Sequence, residues 1–214
     1  MKRALIGVLA LVTSSAVWGY PQPALVSSAW QLDFRYENIR RIKVFVPGEG
    51  VQSFWYMIYT VENNTGRDVV FHPEFALVTD GLEVLRSRVS VPPEVFGAIK
   101  QRHAQTYPWL EHPRELVGRM LQGEDNARDS VAIWPDFDVK TTRFDVFVEG
   151  LSGEAVEVRN PLFEAGKSDP SKVQPTFVLR KTLMVPYILP TDPAKREQVE
   201  PGPGSQPTQE WVMR

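Results

Sequence analysis

Apolar and polar side chains alternate most regularly in residues 53–81, which predicts two long β-strands joined by a polar turn. In the first strand, which runs to residue 62, both faces begin apolar and one becomes polar toward the turn. Successive side chains of a strand point to opposite sides of the sheet. The pattern therefore indicates a strand that is covered on one face only.

Residues 63–66, Asn-Asn-Thr-Gly, supply the chain reversal, because asparagine and glycine tolerate the left-handed backbone of tight turns. We predict a hairpin in which the first strand pairs with a return strand at residues 69–79. His72-Pro73 interrupts the return strand, because proline cannot donate to a ladder, and Asp80-Gly81 closes it with a second turn.

Other alternating stretches bring the predicted number of strands to at least seven, and the short turns between them favour antiparallel pairing. The helical period occurs in residues 92–123, where prolines open two predicted helices and Gly123 ends the second. The apolar stripe of the second helix consists of Leu116, Val117, Met120 and Leu121. The sequence thus predicts a mainly β fold, an antiparallel two-sheet sandwich at residues 20–189 with a two-helix insertion at residues 92–123.

One part of this pattern resembles a known kind of domain. The run Tyr59-x-Val61-x-Asn63-Asn64-Thr65-Gly66 and the alternation from Val69 to Gly81 are similar to the immunoglobulin-like domain of many small secreted bacterial proteins and lipoproteins of unknown function. The likeness covers residues 51–91. It implies a sandwich in which the strand ending at the Asn turn pairs with the strand ending at Asp80-Gly81, and it supplies no catalytic residues. The lipoprotein cysteine of that pattern is absent here.

The two ends of the chain differ from the domain between them. Residues 1–19 have a basic start, a short apolar core and small residues near the end, which predicts a signal peptide cleaved after Gly19 or, as an alternative, after Ala16. Residues 190–214 form a Pro/Gly-rich tail that is predicted to be disordered. The tail ends in Glu210-Trp211-Val212-Met213-Arg214, which either docks on the domain, stays solvated or serves a partner.

Composition narrows the environment and the partners. The chain has no cysteine, so neither disulfides nor a lipid-bearing cysteine can stabilise or anchor it. The formal net charge is −2, and removal of Lys2 and Arg3 with the leader makes the mature chain more acidic. We expect an exported periplasmic or extracellular protein with no membrane span in the mature chain and no nucleic-acid partner.

Residues that could carry chemistry are few. The chain lacks a nucleophile elbow and a phosphate-binding loop, so we predict no enzyme activity and no cofactor. The spacing of its histidines is not a zinc signature, and the acidic residues 122–129 lack the spacing of a calcium loop. Asp136 and Asp138 are interpreted as part of a loop after Pro135. The alternative is that they form the carboxylate pair of a divergent hydrolase. The histidines are His72, His103 and His112.

The remaining candidates are aromatic. Tyr107 and Trp109 lie between the two predicted helices, flanked by prolines, and Trp211 lies near the end of the tail. We predict a non-catalytic module that binds another protein of the bacterial envelope through a sheet edge or the helical insertion. The alternative is a carbohydrate or cell-wall ligand held by Tyr107 and Trp109. An open apolar cleft at the insertion would favour a binding role.

Overall fold

The computed structural model describes residues 20–24, 29–87, 91–169, 171–190, 192 and 209–214. The predicted signal peptide and residues 193–208 of the predicted tail lie outside these ranges. The strands are β1 (Asp33–Tyr36), β2 (Arg40–Val46), β3 (Gly50–Glu62), β4 (Val69–Phe71), β5 (Glu74–Thr79), β6 (Val84–Arg86), β7 (Gly118–Met120), β8 (Arg128–Pro135), β9 (Arg143–Glu149), β10 (Ala155–Arg159), β11 (Thr176–Ile188) and β12 (Glu210–Met213). The helices are α1 (Pro93–Arg102) and a 3-10 turn, Glu124–Asn126. In the described part of the chain, no helix is long and apolar enough to cross a membrane.

The first sheet is built around β3. Along one edge of β3 lies β8, paired antiparallel from Phe54↔Pro135 to Val61↔Arg128. Along the other edge lie β2 and then β1, end to end and also antiparallel. Between them, residues 37–39 lie opposite only residues 57 and 58, so this edge carries a β-bulge.

The second sheet is built around β11, and all its pairings are antiparallel. On one edge of β11, β9 pairs with the C-terminal half and β10 with the first five residues. On the far side of β9 follow β5 and then β6. β12 pairs with residues 181–184 on the edge of β11 opposite β9, because both strands pair with Leu183 and Met184. A separate two-stranded sheet joins β4 and β7.

Two apolar clusters, one on each face of β3, hold these elements together. The odd-numbered side chains of β3, such as Trp55 and Met57, share a buried cluster with Phe144 and Val146 of the second sheet. The even-numbered side chains, such as Ile58, share another cluster with Ile99 of α1. The protein therefore has three layers, which are α1 with its following loop, the first sheet and the second sheet.

The prediction that β3 is covered on one face only is wrong. From Phe54 to Tyr59 every side chain is buried, on both sides of the strand. The sequence pattern already showed two apolar faces at the start of the strand, but it did not show that a helix far along the chain covers the second. The sequence of a strand that is covered on both faces is a nearly continuous run of apolar residues.

The predicted hairpin, and the pairing that the immunoglobulin-like resemblance implied, do not form. Both edges of β3 are already taken, one by β8 and the other by β1 and β2, so β5 cannot pair with it. The Asn63–Gly66 turn instead carries the chain from the first sheet toward the second. The smaller predictions in this region are confirmed, since residues 72 and 73 separate β4 from β5 and Asp80-Gly81 joins β5 to β6.

The prediction of a second helix in the insertion is also wrong. Residues 113–115 form a turn, residue 116 is a bend, and residues 118–120 form β7, paired with β4. Leu116 and Met120 are both buried, and a spacing of four fits a strand as well as a helix. Gly118 has φ 138°, a backbone conformation that a helix does not contain. The insertion therefore contains one α-helix, α1.

The C-terminal end of the predicted tail is ordered. Residues 210–213, which the sequence placed in a disordered tail, form β12 on the edge of β11, so of the three alternatives docking on the domain is the one observed. Met213 is buried, and Trp211 packs against the cluster between the sheets.

We predict that both faces of β3 are needed for stability. Met57→Ala on the inner face and Ile58→Ala on the outer face should each lower the free energy of unfolding by about 2 to 5 kcal/mol, because each leaves a cavity in a closed cluster. Val51→Ala, in the same strand but 68% exposed, is the control and should change it by less than about 0.5 kcal/mol. Urea unfolding measures all three. An Ile58→Ala effect as small as that of the control would show that the outer face is open.

Candidate binding cleft

Helix α1 is docked on the outer face of β3 by a buried polar contact as well as by its apolar stripe. Pro93 occupies the first turn, where its missing N–H is not needed, and Val95 and Ile99 face the sheet. At the other end, His103 Nε2 lies 3.0 Å from the hydroxyl of Tyr56, and both side chains are buried. Arg102 donates to the same hydroxyl at 3.3 Å. The helix is thus fixed at both ends.

The chain after α1 is held against β8 by Arg128. Its guanidinium binds both carboxylate oxygens of Glu111, with Nε 2.9 Å from Oε1, and donates to the carbonyl of Glu115 at 2.9 Å. The bond to Glu111 raises the pKa of Arg128, so the pair stays charged. Ser130 Oγ donates to the carbonyl of Glu111 at 3.0 Å. These contacts fix residues 111–115 in place.

A cleft of about 510 Å³ lies between the start of α1 and residues 112–117, above the outer face of the first sheet. Ile133 of β8 is part of its lining. The lining is mainly apolar, and the described residues that form it are Ser87, Val91, Pro93, His112, Pro113, Arg114, Val117 and Ile133. Its volume falls within the range of pockets that bind small molecules or peptide side chains.

Two polar side chains of the lining, His112 and Arg114, determine which kind of ligand suits the cleft. His112 Nδ1 accepts a hydrogen bond from the Arg114 backbone N–H at 3.2 Å, so the neutral ring carries its proton on Nε2 and can donate. The ring is held edge to face against Phe96, with centroids 4.9 Å apart. Arg114 is exposed, and no carboxylate of the described residues forms an ion pair with it. The N–H of His112 and the positive charge of Arg114 both favour a ligand that carries a negative charge.

Two of the predicted site residues lie near this layer but do not line the cleft. Tyr107 is half-buried, packs on the outer cluster and donates its hydroxyl to Glu37 Oε1 at 2.8 Å. Glu37 lies in the β-bulge of the first sheet, which directs this residue toward the loop. Trp109 is 82% exposed. The two aromatics therefore differ, since one is part of the packing and the other is presented to solvent.

Trp211, the third predicted site residue, lies in another layer. Its ring is 5.2 Å from Nζ of Lys181 and packs on the cluster between the two sheets. The first sheet separates that cluster from the one on which Tyr107 packs. The three aromatics predicted as binding residues therefore do not form one site.

The other candidates from the sequence have structural partners. Asp136 accepts hydrogen bonds from Trp55 Nε1 at 2.8 Å and from Arg41, whereas Asp138 accepts the backbone N–H of Lys140. The pair therefore belongs to the edge of the sheet and to a turn. In the described residues no three His, Cys, Asp or Glu side chains are grouped so that they could hold a metal ion.

The three histidines lie in different surroundings. His72 lines a smaller and more polar cleft of about 330 Å³, together with Glu74, Glu149 and Arg180. His103 is buried against Tyr56, and His112 lines the larger cleft. A site shared by all three, which the sequence left open as a zinc alternative, is not formed by the described residues.

Sequence reasoning missed most of the cleft. Pro93, Pro113 and Val117 fall in the two predicted helices, and Ile133 lies outside the predicted insertion, so nothing in the pattern placed them together. His112 was considered only as a metal ligand. Arg114 carried no signal, because a charged residue in a predicted helix is the ordinary composition of a solvated face.

The phenol of Tyr107 offers a spectroscopic test of the loop. Burial, and then the bonded carboxylate of Glu37, raise the pKa of Tyr107 to about 12 from its usual value near 10. Since the unfolded chain loses this proton first, stability should fall as pH rises from about 10 toward 12, and less steeply in Tyr107→Phe. Urea unfolding at pH 9, 10 and 11 and phenolate absorbance measure the two effects. Ionisation of Tyr107 near pH 10 would contradict the bond to Glu37.

Comparison with protein-family models, with curated proteins and with solved structures gives no match to this chain. What the protein binds must therefore be inferred from the residues of its own surface.

Proposed function

We propose that this protein is an exported, non-catalytic β-sandwich module that binds a protein partner in the bacterial envelope. Its cleft beside α1 would receive an apolar segment of that partner with a neighbouring carboxylate. The observation that carries this proposal is the open apolar cleft of about 510 Å³ with Arg114 and His112 in its wall. Export and the envelope location rest on the sequence patterns.

The apolar lining supports a binding role. A cleft lined by Val91, Pro93, Pro113 and Val117 leaves carbon surface in contact with water, which costs free energy until a ligand covers it. The Arg128 contacts keep the loop wall in place, so little conformational entropy is lost when a ligand enters.

The polar groups support an acidic partner. The guanidinium of Arg114 has no acidic partner in the described chain, and His112 Nε2 is free to donate when the ring is neutral. A charge-assisted hydrogen bond contributes about 1.5 to 3 kcal/mol, which corresponds to roughly tenfold to a hundredfold in affinity. An apolar segment that carries a carboxylate can use both the walls and these donors.

The proposal is tested with anilinonaphthalene sulfonate, a probe with apolar rings and one anionic group, and with short peptides that compete for its site. Arg114→Glu should weaken probe binding by about tenfold or more, because it reverses the charge at the anion position. Val117→Trp should do the same by filling the cleft. Arg159→Glu, which changes an exposed arginine of β10 away from the cleft, is the matched control. Fluorescence titration measures all four proteins.

Peptides then identify the class of partner. Leu-Leu-Glu peptides should displace the probe from the unchanged protein, and Leu-Leu-Lys peptides should not. Equal competition by both, or probe binding that neither cleft substitution weakens, would overturn the assignment of the cleft.

A second function has one specific observation in its favour. Trp109 is 82% exposed on a turn between prolines, and exposed tryptophan rings are suited to stacking on sugars. If the protein binds carbohydrate there, cell-wall glycan fragments should quench tryptophan fluorescence, and Trp109→Ala should abolish the binding while Trp211→Ala should not. Quenching that survives in Trp109→Ala would exclude this surface.

A further inference from the structure

The C-terminal strand β12 occupies a site that other parts of the chain build for it. Its backbone pairs with the edge of β11 opposite β9, from Lys181↔Met213 to Met184↔Glu210. Beyond the ladder, Arg180 and Arg214 exchange two more backbone hydrogen bonds, of 2.7 and 3.0 Å. The edge of β11 thus recognises an extended segment of about five residues by its backbone alone.

Side chains add selectivity to this backbone pairing. Trp211 and Met213 point to the same face, because alternate side chains of a strand do so. The Trp211 ring covers Lys181, which is 5% exposed and forms an ion pair of 3.3 Å with Glu154. Met213 is 2% exposed, and its carbonyl accepts a hydrogen bond from the Tyr20 hydroxyl. The site therefore fits an aromatic residue and, two positions later, an apolar one.

The last residue completes the pattern. The guanidinium carbon of Arg214 lies 4.0 Å from the centroid of the Phe147 ring, which is a cation–π contact. A segment that fits this edge therefore reads aromatic, any residue, apolar, basic. The Glu154 carboxylate, which also accepts the Ala24 N–H at 2.7 Å, belongs to the receiving site and not to the strand.

The connection between β11 and β12 is far longer than the geometry needs. Glu210 pairs with Met184, only four residues before the end of β11, and antiparallel neighbours can be joined by a turn of about two residues. Here 21 residues, 189–209, connect them. Such a length could span about 70 Å when extended. The pairing of β12 with β11 is therefore not imposed by a short turn, and its own contacts hold it in place.

We propose that the edge of β11 is a second protein-binding site, independent of the cleft, and that β12 is its tethered occupant. A partner protein with an extended segment of the pattern aromatic, any residue, apolar, basic displaces β12 and adds its own strand to the second sheet. Because the tether keeps β12 close, an isolated segment competes poorly until β12 is weakened or the partner holds a second site.

The test uses the full-length mature chain and a fluorescein-labelled peptide with the sequence of residues 209–214, Gln-Glu-Trp-Val-Met-Arg. In Trp211→Ala, the tethered strand loses its ring contact, and the labelled peptide should bind at least tenfold more tightly than to the unchanged protein. Phe45→Ala, which removes an aromatic ring at an exposed position of β2, is the matched control and should bind the peptide as weakly as the unchanged protein. A peptide with alanine in place of tryptophan should not bind any of them. Anisotropy measures the affinities.

A labelled peptide that binds none of the three proteins, or binds both variants equally, would overturn the proposal. Amide exchange in the unchanged protein gives an independent test. The Arg180 N–H donates to the Arg214 carbonyl, so it is exposed whenever β12 leaves. We expect it to exchange through an opening that does not unfold the domain, and excess peptide to slow it. Exchange of this amide only by global unfolding would make β12 an integral strand and contradict the proposal.

Discussion

The burial of β3 on both faces is the constraint on which the rest of the structure depends. A strand that is apolar on both sides must be covered on both sides, so the protein needs a layer beyond the two sheets. The second sheet covers Trp55, Met57 and Tyr59, and α1 covers Tyr56 and Ile58. Because the chain has no disulfide, these two clusters are what hold the domain together.

The cleft is a consequence of how that outer layer is assembled. A single short helix and a loop bury the outer face of the first sheet, and between them a cleft remains whose lining includes the buried Ile133. His103 fixes the end of α1 to Tyr56, and Arg128 fixes the loop to β8. The opening therefore lies between two anchored elements, as a binding site requires, and it carries the cation of Arg114, with which no carboxylate of the described residues forms an ion pair.

Local signals in the sequence were enough for some elements and not for others. Alternation predicted β3, and Asp80-Gly81 predicted the turn before β6, because these depend on neighbours in the sequence. The strands that pair with β3 could not be predicted, because alternation does not show which strands occupy the two edges of β3. The spacing of Leu116 and Met120 fits both an α-helix and a β-strand. Only the backbone conformation of Gly118 distinguishes the two, and it is not helical. β12 was hidden because its stability comes from β11 and not from its own composition.

The central claim is that consecutive residues of β3 belong to different layers, and aromatic proton contacts measured by nuclear magnetic resonance test it most directly. Trp55 should show nuclear Overhauser effects to Phe137, whose ring centroid is 5.3 Å away, and to Phe144 at 6.1 Å. Its neighbour Tyr56 should show them to His103, at 5.7 Å, and not to the second sheet. Effects from both residues to the same layer, or none from Tyr56 to His103, would contradict the three-layer arrangement and with it the cleft.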